Sequence, residues 1–201
     1  DDYLRFLWDG YLTSEGINPF NFKPSELYLL AEGDEFANSL FTNIKDKNSY
    51  SAYPPVNQWI FYFSALTKSI MGGVLCLKII LIIFDIATYF VLNKLFKRYK
   101  INEKKLILYW LNPLVIIELI GNLHTEGILL FFLLTALLSF SKLQDFKGGL
   151  LLSLSVCTKI LSLVFLPLLF LKGSKYRLPK LLVGFLPISI LGFLPFIDSN
   201  N

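Results

Sequence analysis

Three groups of polar residues have the types and spacing to do chemistry. The first is Asp1-Asp2-Tyr3-Leu4-Arg5, followed by Trp8-Asp9-Gly10. Adjacent carboxylates with an arginine three residues on suit general-base work, because a base must stay ionised and be aimed by a partner. The same pattern also fits a plain helix start, where acids complement the helix dipole. The second group is Gly121-Asn122-Leu123-His124-Thr125-Glu126-Gly127, which holds the only histidine. Its glycines permit a tight polar turn, and Glu118 lies just upstream as a cavity wall or an interface residue. The third is Lys159, about eleven residues into an apolar stretch. A lone charge at the bilayer centre costs at least ~2.5 to 3.5 kcal/mol, so it calls for a partner or a cavity. Asp85 poses the same problem, and Lys78 or Lys159 is the expected partner. One histidine and two cysteines inside apolar runs, Cys76 and Cys157, do not compose a zinc site or a disulfide framework.

The elements that carry these groups follow from hydropathy. Of 201 residues 54% are hydrophobic and 17% charged, with mean hydropathy +0.56. Soluble domains carry about a quarter charged residues. The apolar residues are also clumped into long runs, which excludes a cytosolic enzyme, a secreted disulfide scaffold and a disordered tail. Charge is divided as sharply. Residues 1–55 hold nine acids and four bases, net −5, whereas the remainder holds fifteen bases and six acids, net +9. The bases sit between apolar runs, which speaks for a membrane surface rather than nucleic acid. The chain opens at Asp1 in polar sequence and stops just after an apolar segment, and is read as an internal piece of a larger membrane protein.

The expected fold is all-α and polytopic. Residues 1–73 form an acidic outer loop with short interfacial helices, and residues 74–201 form the transmembrane region, giving five to six membrane segments in all. In the loop, Tyr3, Phe6, Leu7 and Tyr11 recur at helical spacing, predicting a helix with one apolar face. Residues 25–36 predict a second helix. Residues 58–71 are too short to cross a bilayer and belong at its interface, with Trp59, Tyr62 and Lys68 at headgroup level. Residues 74–95 are long enough to span. They end in Lys94, Lys97, Arg98, Lys100, Lys104 and Lys105, which places that loop in the cytoplasm by the positive-inside rule and the acidic head outside. Residues 106–120 return outward, kinked at Pro113, and residues 128–140 go back in. Residues 148–171 have basic sequence at both ends, which a single crossing cannot keep on one side. A re-entrant hairpin broken near Thr158-Lys159 can, and irregular backbone at membrane depth is allowed where it lines a cavity.

In this order the motifs stop being generic. Asp-Asp-Tyr-x-Arg-x-x-Trp-Asp-Gly, Gly16-Ile-Asn-Pro-Phe20, Tyr53-Pro-Pro55, Trp110-Leu-Asn-Pro113, Gly121-Asn-Leu-His-Thr-Glu126 and Thr158-Lys159 with Leu166-Pro167 resemble the GT-C membrane glycosyltransferases that use polyprenol-phosphate sugars, in their bacterial mannosyltransferase-like branch. The resemblance covers nearly all the chain. It implies transfer of a hexose, with mannose the candidate, from a polyprenyl-phosphate donor to a hydroxyl on a glycan, lipid or protein acceptor. Transfer would take place at the outer face of a bacterial inner membrane, with inversion at the anomeric centre and residues 1–55 in the periplasm. By position, Asp2 or Asp1 is the general base, and Arg5 and Lys159 contact the donor phosphate. His124 and Glu126, with Asn122 and Glu118, line the acceptor side. No organic cofactor is implied, and a divalent metal is left open. Two other classes fit membrane charges and broken helices: a transporter or lipid flippase, which should show paired inverted halves, and a non-catalytic assembly subunit, which would tolerate loss of Asp1 and Asp2.

Overall fold

The computed structural model describes residues 2–165 and 177–197. Among them every regular element is helical, with no strand, and the chain divides into two compact units, Asp1–Ile79 with Pro195–Asn201 and Ile80–Leu194.

In the first unit, α1 (Asp2–Ser14) is the central helix. Its buried face is broader than the apolar face expected, taking in Leu4, Trp8 and Leu12 beside Phe6, Leu7 and Tyr11. Phe6 stacks on Phe61 with centroids 4.6 Å apart and planes at 3°. Trp8 meets Phe41 at 5.9 Å and Tyr11 meets Phe36 at 6.1 Å. Phe61 belongs to α4 (Pro55–Ala65), Phe36 and Phe41 to α3 (Glu35–Asn43). The helix expected over residues 25–36 is instead divided into a 3-10 turn, Pro24–Leu27, the short α2 (Tyr28–Glu32), and α3. The break lies at Asp34, whose extended backbone and side chain, accepting from the Ala37 N–H at 2.9 Å, start a new helix.

α4 starts earlier than hydropathy indicated, because Pro55 fits the first helical position. It ends at Ala65, and Lys68, with φ of 49°, turns the chain into α5 (Ile70–Arg98). At 11 residues α4 is about 16 Å long, far short of a bilayer core. Its Trp59 and Phe63 remain exposed. Phe196 joins this unit, edge-on to Phe20 at 5.3 Å and accepting from the Asn18 side-chain amide at 2.6 Å.

α5 has 29 residues, about 43 Å, enough to cross a membrane. Its exposed side chains include Leu75, Ile79, Ile83 and Phe90, an apolar exterior fitted to lipid. Its last turn holds Lys97 and Arg98.

Residues 106–120 do not form the single kinked helix that was expected. A 3-10 turn, Glu103–Leu106, leads into α6 (Ile107–Trp110), and a π-helix, Val115–Gly121, follows after a gap. The cause is local. Pro113 disfavours helical backbone at the residue before it, and Asn112 turns its side chain to cap the Leu114 N–H at 3.0 Å. The π-helix meets α7 (Glu126–Ser141) at a bend of 111°. By length and composition two helices of the described residues can span a membrane, α5 and Arg177–Phe196, or three if the bent pair counts as one span. The larger number expected from hydropathy included shorter apolar segments, such as the 16 residues of α7 and the 14 of α8 (Asp145–Thr158).

In the second unit α7, α8 and α9 (Arg177–Phe193) pack around Leu133, Ala136, Phe140, Leu152 and Leu181. Small residues let the α8 and α9 backbones touch: a Cβ at Gly149 would lie 2.2 Å from the Leu181 carbonyl oxygen, and one at Gly184 2.1 Å from that of Phe146. Ser153 and Ser189 hydrogen-bond across the same seam at 2.7 Å. Asp145 takes Arg177 Nε at 2.9 Å and Nη2 at 2.5 Å, closing its end.

Candidate functional site

α1 presents Asp2 and Arg5 on one face, since residues three apart on a helix are neighbours. Both line a cavity of about 260 Å³, whose opposite wall is the loop from Lys45 to Tyr53. That loop is held by its own polar contacts. Asp46 accepts from the Ser49 hydroxyl at 2.5 Å and the Asn48 N–H at 3.0 Å, and these two bonds hold its carboxyl below the usual range. The Lys47 carbonyl accepts from the Ser25 N–H at 3.0 Å, and Lys23 lies 5.0 Å over the Tyr50 ring.

Asp2 is exposed at the cavity wall. Arg5 is only 14% exposed in its side chain and is clamped: Nε donates to Asp9 Oδ1 at 2.8 Å and Nη1 to the Ser49 carbonyl at 2.9 Å. Its Nη2 is buried and has no partner among the described residues. Asp9 is completely buried. Burial pushes its carboxyl above the usual range, against the opposing pull of the Arg5 guanidinium, the Ser51 hydroxyl and the Gln58 amide. Ser51 Oγ donates to Asp9 Oδ2 at 2.5 Å, and Gln58 Nε2 donates to Ser51 Oγ at 2.8 Å and to the Tyr53 carbonyl at 3.0 Å. Sequence reading paired Asp2 with Arg5 by helical spacing but missed Asp9, Ser51 and Gln58 as Arg5's supports. Ser51 is 42 residues from Asp9 and no local pattern connects them. Asp1 lies outside the described residues.

The second unit gathers the other candidates. His124 Nε2 lies 3.5 Å from Glu118 Oε2 and its Nδ1 3.6 Å from Glu126 Oε2. Asn122 Nδ2 donates to Glu118 Oε2 at 3.1 Å, and Lys159 Nζ donates to Glu126 Oε1. The local chain explains the cluster. The π-helix ends at Gly121, Leu123 has φ of 61°, and the chain turns His124 back between the two glutamates before α7 begins at Glu126. α8 stops at Thr158, and Lys159 is extended with φ −155° and ψ 126°. Lys159 has the partner that its place in an apolar stretch calls for: its side chain, 49% exposed, is ion-paired with Glu126, 33 residues upstream. Asp85 pairs with neither lysine expected of it. It accepts from the Tyr109 hydroxyl at 2.9 Å. A neutral hydroxyl donor satisfies the carboxylate without burying a second charge. Arg5 and Lys159, assigned together to the donor phosphate, belong to different units. Leu166-Pro167 lies outside the described residues. Among the described residues no group of three or more His, Cys, Asp and Glu side chains is arranged to hold a metal ion.

Comparison with known proteins adds an independent line. A family model described as "Alpha-(1->6)-mannopyranosyltransferase, N-terminal domain" matches residues 1–173. The curated Alpha-(1->6)-mannopyranosyltransferase B of Corynebacterium glutamicum is 34% identical over 139 residues. That alignment covers 68% of this chain and 22% of the relative, so the chain spans well under a third of the relative's length. No solved structure matches the chain.

Proposed function

The chain belongs to the alpha-(1->6)-mannopyranosyltransferase N-terminal-domain family, and from that premise we propose that it is the catalytic-loop portion of a membrane glycosyltransferase. The reaction is transfer of mannose from a polyprenyl-phosphate donor to a hydroxyl acceptor at the outer face of a bacterial inner membrane. The observation that carries this reading is the cavity shared by Asp2 and Arg5: an open carboxylate and a clamped guanidinium, three residues apart on one helix.

Such a donor divides the work between two groups. The lipid phosphate is already a good leaving group and needs its developing charge stabilised, for which a preorganised cation serves. The acceptor hydroxyl is a weak nucleophile and needs a base. Asp2 removes its proton as the oxygen attacks the anomeric carbon, the bond from that carbon to the phosphate oxygen breaks, and the phosphate departs on its lipid beside Arg5. Attack opposite the leaving group inverts the centre. In the second unit, the polar cluster of Glu118, Asn122, His124 and Glu126 is proposed for acceptor contacts, and Lys159, ion-paired with Glu126, for a phosphate contact. Residues 1–73 form the outer loop and the residues from 74 onward the membrane body; the re-entrant hairpin expected over residues 148–171 lies partly outside the described residues.

The donor class is tested by supplying the intact protein, in membranes, with mannose on polyprenyl phosphate or on a nucleotide. Transfer is expected from the lipid donor alone, and transfer from the nucleotide donor alone would remove the reading. Orientation is tested by a membrane-impermeant thiol reagent on intact cells. A cysteine at Ser49 should label and one at Lys100 should not, because Ser49 lies in the acidic unit and Lys100 beside the basic end of α5. Labelling of Lys100→Cys from outside would reverse the topology.

A further inference from the structure

Arg5 has five N–H donors in a planar fork. Two contacts on different edges of the fork, Nε to Asp9 and Nη1 to the Ser49 carbonyl, fix the orientation of the whole plane. Among the described residues Nη2 has no partner and is itself inaccessible, while the side chain it belongs to, 14% exposed, lines the cavity. A buried donor without a partner is costly to keep, and the clamp that leaves it so also fixes the exposed part of the guanidinium group at the cavity wall.

What holds the fork is itself buried. Asp9 and Gln58 are both fully inaccessible, so neither can touch a substrate. They form one chain of contacts from α4 through the loop to α1: Gln58 Nε2 to Ser51 Oγ, Ser51 Oγ to Asp9 Oδ2, and Asp9 Oδ1 to Arg5 Nε. A buried ion pair is weak evidence for stability, since well-packed apolar residues of similar volume often serve as well. That this one holds its arginine at the wall of a cavity is better evidence for a role.

We propose that Asp9, backed by Ser51 and Gln58, is a positioning residue that holds the Arg5 guanidinium at the cavity wall for the donor phosphate. This rests on the reading of Arg5 as a donor-phosphate contact. Asp9 acts through Arg5 and on the donor side only, which separates it from a residue that merely supports the fold.

The test is a double-mutant cycle on the intact protein in membranes, with polyprenyl-phosphate mannose and acceptor varied in turn. Asp9→Asn is expected to raise the donor KM about 10- to 100-fold, by analogy with the outer partners that orient metal ligands, with the acceptor KM unchanged. In an Arg5→Ala background, Asp9→Asn should add nothing, because the group it orients is gone. Ser51→Ala leaves the ion pair intact and should raise the donor KM in the same direction by less, which keeps the test alive if Asp9→Asn fails to accumulate. An Asp9→Asn protein with fewer active molecules but both KM values unchanged would overturn the proposal, as would a full Asp9 effect without Arg5. Should Arg5→Ala itself leave the donor KM unchanged, the donor-phosphate reading of Arg5 falls and the proposal with it. An Arg5 effect without an Asp9 effect sinks the proposal alone.

Discussion

Asp2→Asn in the intact protein is expected to lower kcat for mannose transfer by about 10² to 10⁴, the usual cost of removing a general base, while the protein inserts and accumulates as before. The substitution keeps the size of the side chain and part of its hydrogen bonding and removes only the basic oxygen. Asp2 is exposed at the wall of a cavity and makes no packing contribution to the core of its unit. As a helix-dipole contact alone it would be worth only about 0.3 to 1 kcal/mol of stability, so the two roles differ both in size and in the quantity they move. Among the remaining carboxylates on this helix, Asp9 is excluded as the base by its geometry, being fully buried with both oxygens engaged. Near-normal turnover in Asp2→Asn would therefore transfer the role to Asp1. Near-normal turnover with both replaced would end the assignment.

Gly10→Ala is expected to destabilise the first unit by more than the ~1 to 3 kcal/mol common for an added methyl in a packed core. The Cβ would lie 2.1 Å from the Phe61 carbonyl oxygen and 2.9 Å from the Tyr62 nitrogen. Both are backbone atoms of α4, so no side chain can rotate aside, and α1 and α4 must move apart. That movement would open the stacked Phe6–Phe61 pair and shift Gln58 relative to Asp9. Thermal unfolding of the purified protein in detergent should show a lower midpoint, with transfer lost even in the folded fraction because Arg5 is no longer held. The neighbouring replacement Gly16→Ala is a useful contrast. Gly16 has open space around a Cβ but a φ of 73°, so its cost is backbone strain alone. Equal melting points for wild type and Gly10→Ala would show that these two helices do not meet backbone to backbone.

Much of this protein is legible from residue order alone. Hydropathy separates a polar acidic head from a basic apolar body, and the run from residue 74 to 95 lies inside the 29 residues of α5. Helical spacing puts Asp2 and Arg5 on one face of α1, and motif order identifies the family. These properties are local: each depends on residues within a few turns of one another, so period and composition carry them. Arg5 and Asp9 pair within one turn of α1, but most partners of the charges are not local. The Ser51 hydroxyl on Asp9, the pairing of Lys159 with Glu126, and that of Asp85 with Tyr109 join residues 42, 33 and 24 positions apart. Nothing in the spacing of Lys159, Lys78 and Asp85 distinguishes a mutual pair from separate partners. Which acceptor a charged group meets is decided when distant helices pack, because desolvation penalises every arrangement in which the group is left alone and the chain path determines which polar atoms can arrive.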